Sequence, residues 1–375
     1  MEFAFDQTQE SLYQAAKSFA REVLASDSPM TREHWRACGE QGLLGLCVAE
    51  EHGGQGHDAV TTGRVLEGLG YGAKTTGRAF AMGAHLLAVC KPIEYFAERP
   101  EHFAILSDLV SGRAIGAFAT TEAGAGSDVG GIQARAIDDG EGYQLSGEKM
   151  FITNAPDADL FLVTARTAPE RGIAGLSAFI IPRDTPGVSA SKPRAMMGLH
   201  GASIGEVHLD ACRVPHSARL GPLNAGGQVV QHAMRWERAL LLGPQLGVMQ
   251  RQLEASVDHA RTREQFGKRI GSFQGVSHRI AKMDIRLEAA RMLYYRGAWA
   301  LERGGREGTR AAAISKAFVS EAAVEAHLDG LRLAGANGYT QEGEVDGPLR
   351  DALGGLLYSG TGDVQYNLIA SLLGL

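Results

Sequence analysis

The stretch YQLSGEKMFIT, residues 143–153, reads as a β-strand in a chain whose beginning and end are helical in texture. Its companions are LFLVTAR (160–166), LSAFIIP (176–182) and IGEVHLDACRVP (204–215), short, β-branched and broken by Gly, Pro, Asn and Asp. Together they predict an all-β insert over residues 114–220, roughly the 100 residues of one small domain. Upstream, Leu12, Ala15, Ala16, Phe19 and Val23 recur at three- and four-residue steps, the mark of an amphipathic helix. There GEQGLLGLCVAEEHGGQG (39–56) closes a helix and gives way to a glycine-rich loop. Downstream, long helical periods fill 229–260, 272–302 and 313–335, long enough to pack as a bundle. The order predicts an N-terminal helical domain over 1–113, a middle β domain over 114–220 and a C-terminal helical bundle domain over 221–375.

Composition narrows the functional classes. The 375 residues are 44% hydrophobic and 21% charged, as in an ordinary globular protein. A net charge of −6 argues against nucleic-acid binding, although residues 251–310 hold 13 Lys/Arg against 7 Asp/Glu. No stretch approaches the ~20 apolar residues of a membrane span. The opening MEFAFDQTQE is acidic and does not read as a signal peptide. Cys38, Cys47, Cys90 and Cys212 lack CxxC spacing, and the expectation is a cytoplasmic protein with reduced thiols. The 12 histidines form no HExxH and no Cys/His cluster, so no metal site is expected. GASIG (201–205) matches the G-x-S-x-G nucleophile elbow, but a strand-like EVHLDACRV follows where that motif needs a helix. Ser203 therefore reads as a turn residue.

Several weaker signals remain. YSGTGDVQ (358–365) sets two glycines around a threonine at the start of a short final helix, a cradle for a phosphate or a cofactor edge. ATTEAGAGSD (119–128) gathers hydroxyls and small residues at a helix or loop start, heading the β insert. FITNA (151–155) ends a strand with Phe151 and Thr153 on one face. RTREQFGKRIGSFQ (261–274), whose TREQF reads as helix, and LRLAGANGY (331–339) follow. In AMRWERALLLG, Glu237 shares a stripe with Val230, Met234 and Leu241, and burial of such an acid raises its pKa and suits it to act as a base. The alternative is a surface glutamate or a salt bridge with Arg235 or Arg238.

In this order, GLLGLCVAEEHGGQG, TTEAGAGSD, GEKMFITNA, MGLHGASIGEVHLDACRVP, ARTREQFGKRIGSFQ and GANGY with LRDA and YSGTGDVQ resemble the acyl-CoA dehydrogenase family, flavoproteins that desaturate acyl thioesters. The resemblance covers essentially the whole chain. It implies a fold that is mainly α with a β insert: N-terminal helical domain, middle β-barrel or sandwich domain, C-terminal four-helix bundle. It also implies FAD. Thr121 and Ser127 match contacts to the isoalloxazine and pyrophosphate, and Phe151 and Thr153 match groups packed near flavin N5. Arg263, Phe266 and Gln274 match residues that reach the ADP of a FAD bound mainly by a neighbouring subunit. Gly335, Ala336 and Gly338, with Thr361 and Gln365, match further cofactor contacts, the last two facing the cofactor. A homotetramer or homodimer follows.

Most members carry a glutamate immediately after the tyrosine of the final turn; here that position is Ser359. Branched-chain and some long-chain members take their base from the Glu of a Glu-Arg pair on an earlier helix, which Glu237–Arg238 matches. The backbone N–H of Ser359 is expected to polarise the thioester carbonyl. A narrower resemblance, through Trp236–Glu237–Arg238, is to members that oxidise prolyl groups on carrier proteins, with Trp236 and Arg238 beside the substrate. The implied substrate is an acyl-CoA or an acyl or peptidyl carrier protein, and the implied electron acceptor is electron-transfer flavoprotein or O2. Departures are Ala123 in place of proline, Arg332 in place of glutamine and Ala336 in place of glycine. The rival classes are a flavin oxidase or monooxygenase on the same fold, and a non-catalytic carrier-binding or assembly protein.

Overall fold

The structure, a computed structural model, describes residues 4–343 and 345–375; Met1, Glu2 and Phe3 of the acidic opening segment lie outside the described residues. Helices come first: α1 (Gln7–Val23), α2 (Arg32–Glu40), α3 (Ala59–Gly72), α4 (Gly77–His85), α5 (Lys91–Phe96) and α6 (Pro100–Val110). Their starts follow from local chemistry. Asp6 accepts the Gln9 N–H at 2.8 Å while Gln9 Oε1 accepts the Asp6 N–H at 3.2 Å, a capping box worth about 1 kcal/mol. Thr31 caps α2 with His34, and Asp58 caps α3 through the Thr61 N–H. A π-helical turn, Leu86–Cys90, joins α4 to α5 in one rod that is buried from Gly77 to Cys90.

The strand texture predicted for the middle of the chain is found there. The strands are β1 (Gly116–Ala119), β2 (Arg135–Asp138), β3 (Gly142–Thr153), β4 (Leu160–Arg166), β5 (Leu176–Pro182), β6 (Val188–Ala190), β7 (Ile204–Pro215) and β8 (Arg219–Leu220). They form one mixed sheet in the order β6-β7-β3-β2-β4-β5-β8, with β1 branching parallel from β4. Tyr143, Leu145, Phe161, Val163, Phe179, Val207 and Leu209 fill a core that belongs to the middle domain alone. Gly201 and Ala202 turn into β7, which begins at Ile204, so Ser203 precedes a strand and not the helix a nucleophile elbow needs. The pairing of β3 with β7 slips between Lys149 and Ile152, and Phe151 occupies that bulge at φ 55°. Phe151 and Thr153 still flank the buried Ile152 on the open side of the strand.

The last part comprises α7 (Gly226–Leu240), α8 (Gly243–Thr262), the hairpin β9 (Glu264–Gln265) and β10 (Lys268–Arg269), α9 (Gln274–Arg303), α10 (Gly305–Ala334), α11 (Asp346–Gly355) and α12 (Gly362–Leu373). Helices α7 to α10 pack together as the expected bundle, and α11 and α12 lie against α10. The TREQF segment departs from the expected helix. Helix α8 stops at Thr262, and Phe266 (φ 53°) with Gly267 (φ 74°) makes a left-handed two-residue turn between β9 and β10. The first and last helical stretches share one core, in which Trp35, Leu69 and Leu87 meet Leu240, Met283 and Tyr294. A Cβ on Gly70 of α3 would lie 1.9 Å from the Pro244 carbonyl oxygen of α8, so that close crossing requires glycine. No helix among the described residues is long and apolar enough to cross a membrane.

Candidate active site

Residues 356–361 form a turn between α11 and α12 whose carbonyls are gathered inward. The Leu356 carbonyl accepts from Lys316 Nζ at 3.4 Å. That of Ser359 accepts from Gln365 Nε2 at 3.2 Å and Arg238 Nε at 3.4 Å, and that of Gly360 from Gln365 Nε2 at 3.0 Å. Thr361 caps α12, its hydroxyl accepting the Val364 N–H at 3.4 Å. With the carbonyls so engaged, the N–H groups of Ser359 and Gly360 have no acceptor among the described residues. Thr361 and Gln365 were expected to face a cofactor. Both side chains serve the turn first, and Gln365 is fully buried; its Oε1, buried and unpartnered among the described residues, is the atom left for a ligand.

Glu237 comes to this turn from α7. It is 8% exposed, and Ser359 Oγ donates to its Oε2 at 2.9 Å. Neither neighbouring arginine pairs with it: Arg235 donates to the Leu301 carbonyl and Arg238 to that of Ser359. Burial pushes its pKa up to about 7, against the opposing pull of the Ser359 hydrogen bond and of Arg238. Tyr358 packs on Phe80 of α4, ring centroids 4.6 Å apart. Trp236 is turned to α5, under the Lys91 ammonium at 4.5 Å, because adjacent helical positions face different ways.

A second group lies on the strands. Residues 120–128 make a loop, not a helix start, held by a bridge between Glu122 and Ala125. Thr121 is half-buried and Ser127 exposed, and the Met150 N–H near the end of β3 donates to the Thr121 carbonyl at 2.8 Å. A Cβ added at Gly124 or Gly126 would meet nothing within 4 Å, so the loop presents open backbone. Phe151 is 53% exposed beside it, and Asn154 Nδ2 donates to the Ala81 carbonyl of α4 at 3.0 Å. An exposed aromatic, open glycines and hydroxyls fit the edge of a flavin.

The third group sits at the other end of α8, about 30 Å from α7 at 1.5 Å per residue. There Phe266 is 92% exposed on its hairpin, Arg263 and Gln274 are exposed, and Gly335 (φ 62°) has open space where a Cβ would be. Ala336 is exposed and Gly338 buried. Arg332 joins Arg279 and Arg286 around the Asp329 carboxylate. The structure therefore brings Glu237 and Ser359 together and holds the Arg263 group apart from them.

Residues 6–113, 117–212 and 224–374 match, in turn, the N-terminal, middle and C-terminal domain models of acyl-CoA dehydrogenase. The chain belongs to the acyl-CoA dehydrogenase family. Members are oxidoreductases acting on CH–CH bonds. It is 42% identical to an L-prolyl-[peptidyl-carrier protein] dehydrogenase of Pseudomonas fluorescens, over 99% of each chain. Among solved structures it is similar to the prolyl acyl carrier protein oxidase AnaB, at 36% identity and TM-score 0.95 over 99% of this chain and 100% of the other. The FAD complex of PigA, at 36% identity, matches with TM-score 0.96 over 100% of both chains.

Within this acyl-CoA dehydrogenase fold several supporting residues escape a reading of the sequence. Lys149, with a fully buried side chain, donates to Glu122 Oε1 at 2.7 Å and to the Thr120 carbonyl at 3.1 Å. Glu122 also accepts the N–H groups of Gln133 at 2.7 Å and Ala134 at 2.9 Å, closing the loop that carries Thr121 and Ser127. Burial lowers the Lys149 pKa to about 8 despite this partner. Lys316, also buried, is lowered to about 8 by burial and by Arg238. Lys149 follows Gly147 and Glu148 in its strand, so no local apolar pattern marks it as the stripe of Val230, Met234 and Leu241 marks Glu237.

Proposed function

We propose that the chain is an FAD-dependent dehydrogenase of an acyl thioester, in which Glu237 removes the α-proton and the Ser359 N–H polarises the thioester carbonyl. The observation that carries this reading is the buried Glu237 carboxylate at the turn that bears Ser359, 2.9 Å from its hydroxyl. A thioester α-proton is weakly acidic, so a base raised toward neutral pH is matched to the task. An N–H left unpaired by the inward pull on its carbonyls can meet the developing enolate oxygen. FAD, when bound, would supply the hydride acceptor for Cβ; with the α-proton moved to Glu237, the substrate would be left with a carbon–carbon double bond. Thr121, Ser127, Phe151 and Thr153 would hold the flavin, while Arg263, Phe266, Gln274, Gly335, Ala336 and Gly338, about 30 Å from α7 along α8, would serve the ADP end of a FAD in a second copy. That separation supports a homodimer or homotetramer of three-domain chains divided near residues 113 and 220, working in the cytoplasm.

The prolyl-carrier relatives support a substrate tethered to a carrier protein over one on CoA. Tyr358, packed at a tilt against Phe80 on the turn that meets Glu237, is in keeping with a compact acyl group. Anaerobic bleaching of the flavin by prolyl-carrier protein, and not by straight-chain acyl-CoA, is the expected result; the reverse order would overturn the assignment. Similarity to a protein described as an oxidase favours a second reading, with O2 as electron acceptor in place of electron-transfer flavoprotein. Stoichiometric hydrogen peroxide during aerobic turnover would select it.

A further inference from the structure

The Ser359 side chain stands where the backbone suits glycine. Its φ is 56°, a conformation that strains any residue with a Cβ, whereas the following Gly360 (φ 89°) bears no such strain. The turn is nonetheless pinned in that shape by Lys316, Arg238 and Gln365, which hold the carbonyls on either side of it. The result is a hydroxyl delivered at 2.9 Å to Oε2 of Glu237, with both residues 8% exposed. It is the one hydrogen-bond donor to this carboxylate among the described residues.

We propose that the Ser359 hydroxyl is a positioning group for Glu237: it fixes Oε2 and leaves Oε1 as the oxygen that receives the α-proton. This rests on the reading of Glu237 as the base. Oε2 accepts the hydroxyl hydrogen most strongly when the carboxylate is ionised, so the contact favours the basic form against the cost of burial. It also adds a directional hold on the carboxylate to the packing of the stripe that Val230, Met234 and Leu241 share with it. The other ionisable groups around Glu237 are Arg238 on its own helix, Tyr358 on the turn, Lys316 of α10 beside Arg238, and Lys91 of α5 over the neighbouring Trp236. None of them donates to Glu237, so none can take over the role without movement.

The test compares S359G and S359A with the wild-type holoenzyme in the pH dependence of anaerobic flavin reduction by the thioester substrate. Both variants keep the backbone N–H, and S359G also relieves the left-handed strain. The acidic limb of kcat/KM should move up by about one pH unit in both variants, the share a hydrogen bond to a charged group commands. The rate at pH 6 should fall about tenfold with it. S359G should retain FAD and melt at or above the wild-type temperature. An acidic limb unmoved in both variants would overturn the proposal. An unmoved limb together with an inactive E237Q removes this role alone, whereas an E237Q enzyme with wild-type flavin reduction removes the base assignment as well.

Discussion

Asp351 Oδ2 accepts both the backbone N–H of Thr76, at 2.7 Å, and the Thr76 hydroxyl, at 3.0 Å. Its other oxygen accepts the Leu199 N–H at 2.5 Å. One buried carboxylate on α11 therefore ties the start of α4 and the loop before β7 to the helix that leads into the Ser359 turn. Gln245 of α8 extends the link, donating to the Thr76 hydroxyl at 3.2 Å.

Removing that carboxylate should loosen the site before it unfolds the chain. Asp351→Ala leaves buried N–H groups of Thr76 and Leu199 unpaired, at a cost of about 3 kcal/mol or more. Calorimetry should record the lower melting temperature, and kcat should fall more than KM rises. Melting and kinetics both unchanged would show that the tie is dispensable.

The Lys149–Glu122 pair predicts a different pattern. Glu122→Gln leaves Lys149 buried beside a neutral partner, which should cost about 3–5 kcal/mol and release the loop that carries Thr121 and Ser127. Titration of apoprotein with FAD should give a weaker dissociation constant. The double variant Glu122→Gln/Lys149→Met should recover most of the stability, because no unpaired charge remains. A double variant no better than the single one would contradict this.

Acid should destabilise the fold through histidines. Burial lowers the pKa of His85 to about 4, of His232 to about 4 and of His327 to about 3. The folded chain holds these rings neutral, while the unfolded chain protonates them below about 6.5, so stability falls as pH drops from there toward 4. Urea midpoints at pH 7.5 and 5.0 measure the slope. Both nitrogens of His327 are buried without partners among the described residues, so His327→Leu should be near neutral at pH 7.5 and shallower in slope. An unchanged slope would assign the acid lability elsewhere.

What the sequence made legible was whatever local pattern controls. The β-branched runs gave the strands their place, and the apolar stripe around Glu237 marked a buried acid before any neighbour was known. Ser359 was legible as the place of a missing carboxylate and as a backbone donor, but its hydroxyl was not legible as a donor to Glu237, because that partner is 122 residues away. Asp351 and Thr76, 275 residues apart, escape for the same reason. The hairpin at Phe266 and the bulge at Phe151 depend on left-handed backbone at non-glycine residues, which propensity reads as helix or regular strand. Gln365 was legible as an expected cofactor contact, but not as the clamp its amide makes on the Ser359 and Gly360 carbonyls.

The base assignment is tested most directly by stopped-flow reduction of the flavin in Glu237→Gln holoenzyme, mixed anaerobically with prolyl-carrier protein. The substituted amide would keep the shape of the site and the Ser359 N–H but could not take the α-proton. The account predicts normal FAD content, near-normal substrate binding and a reductive rate lower by at least about 100-fold. Flavin reduction at the wild-type rate would contradict it.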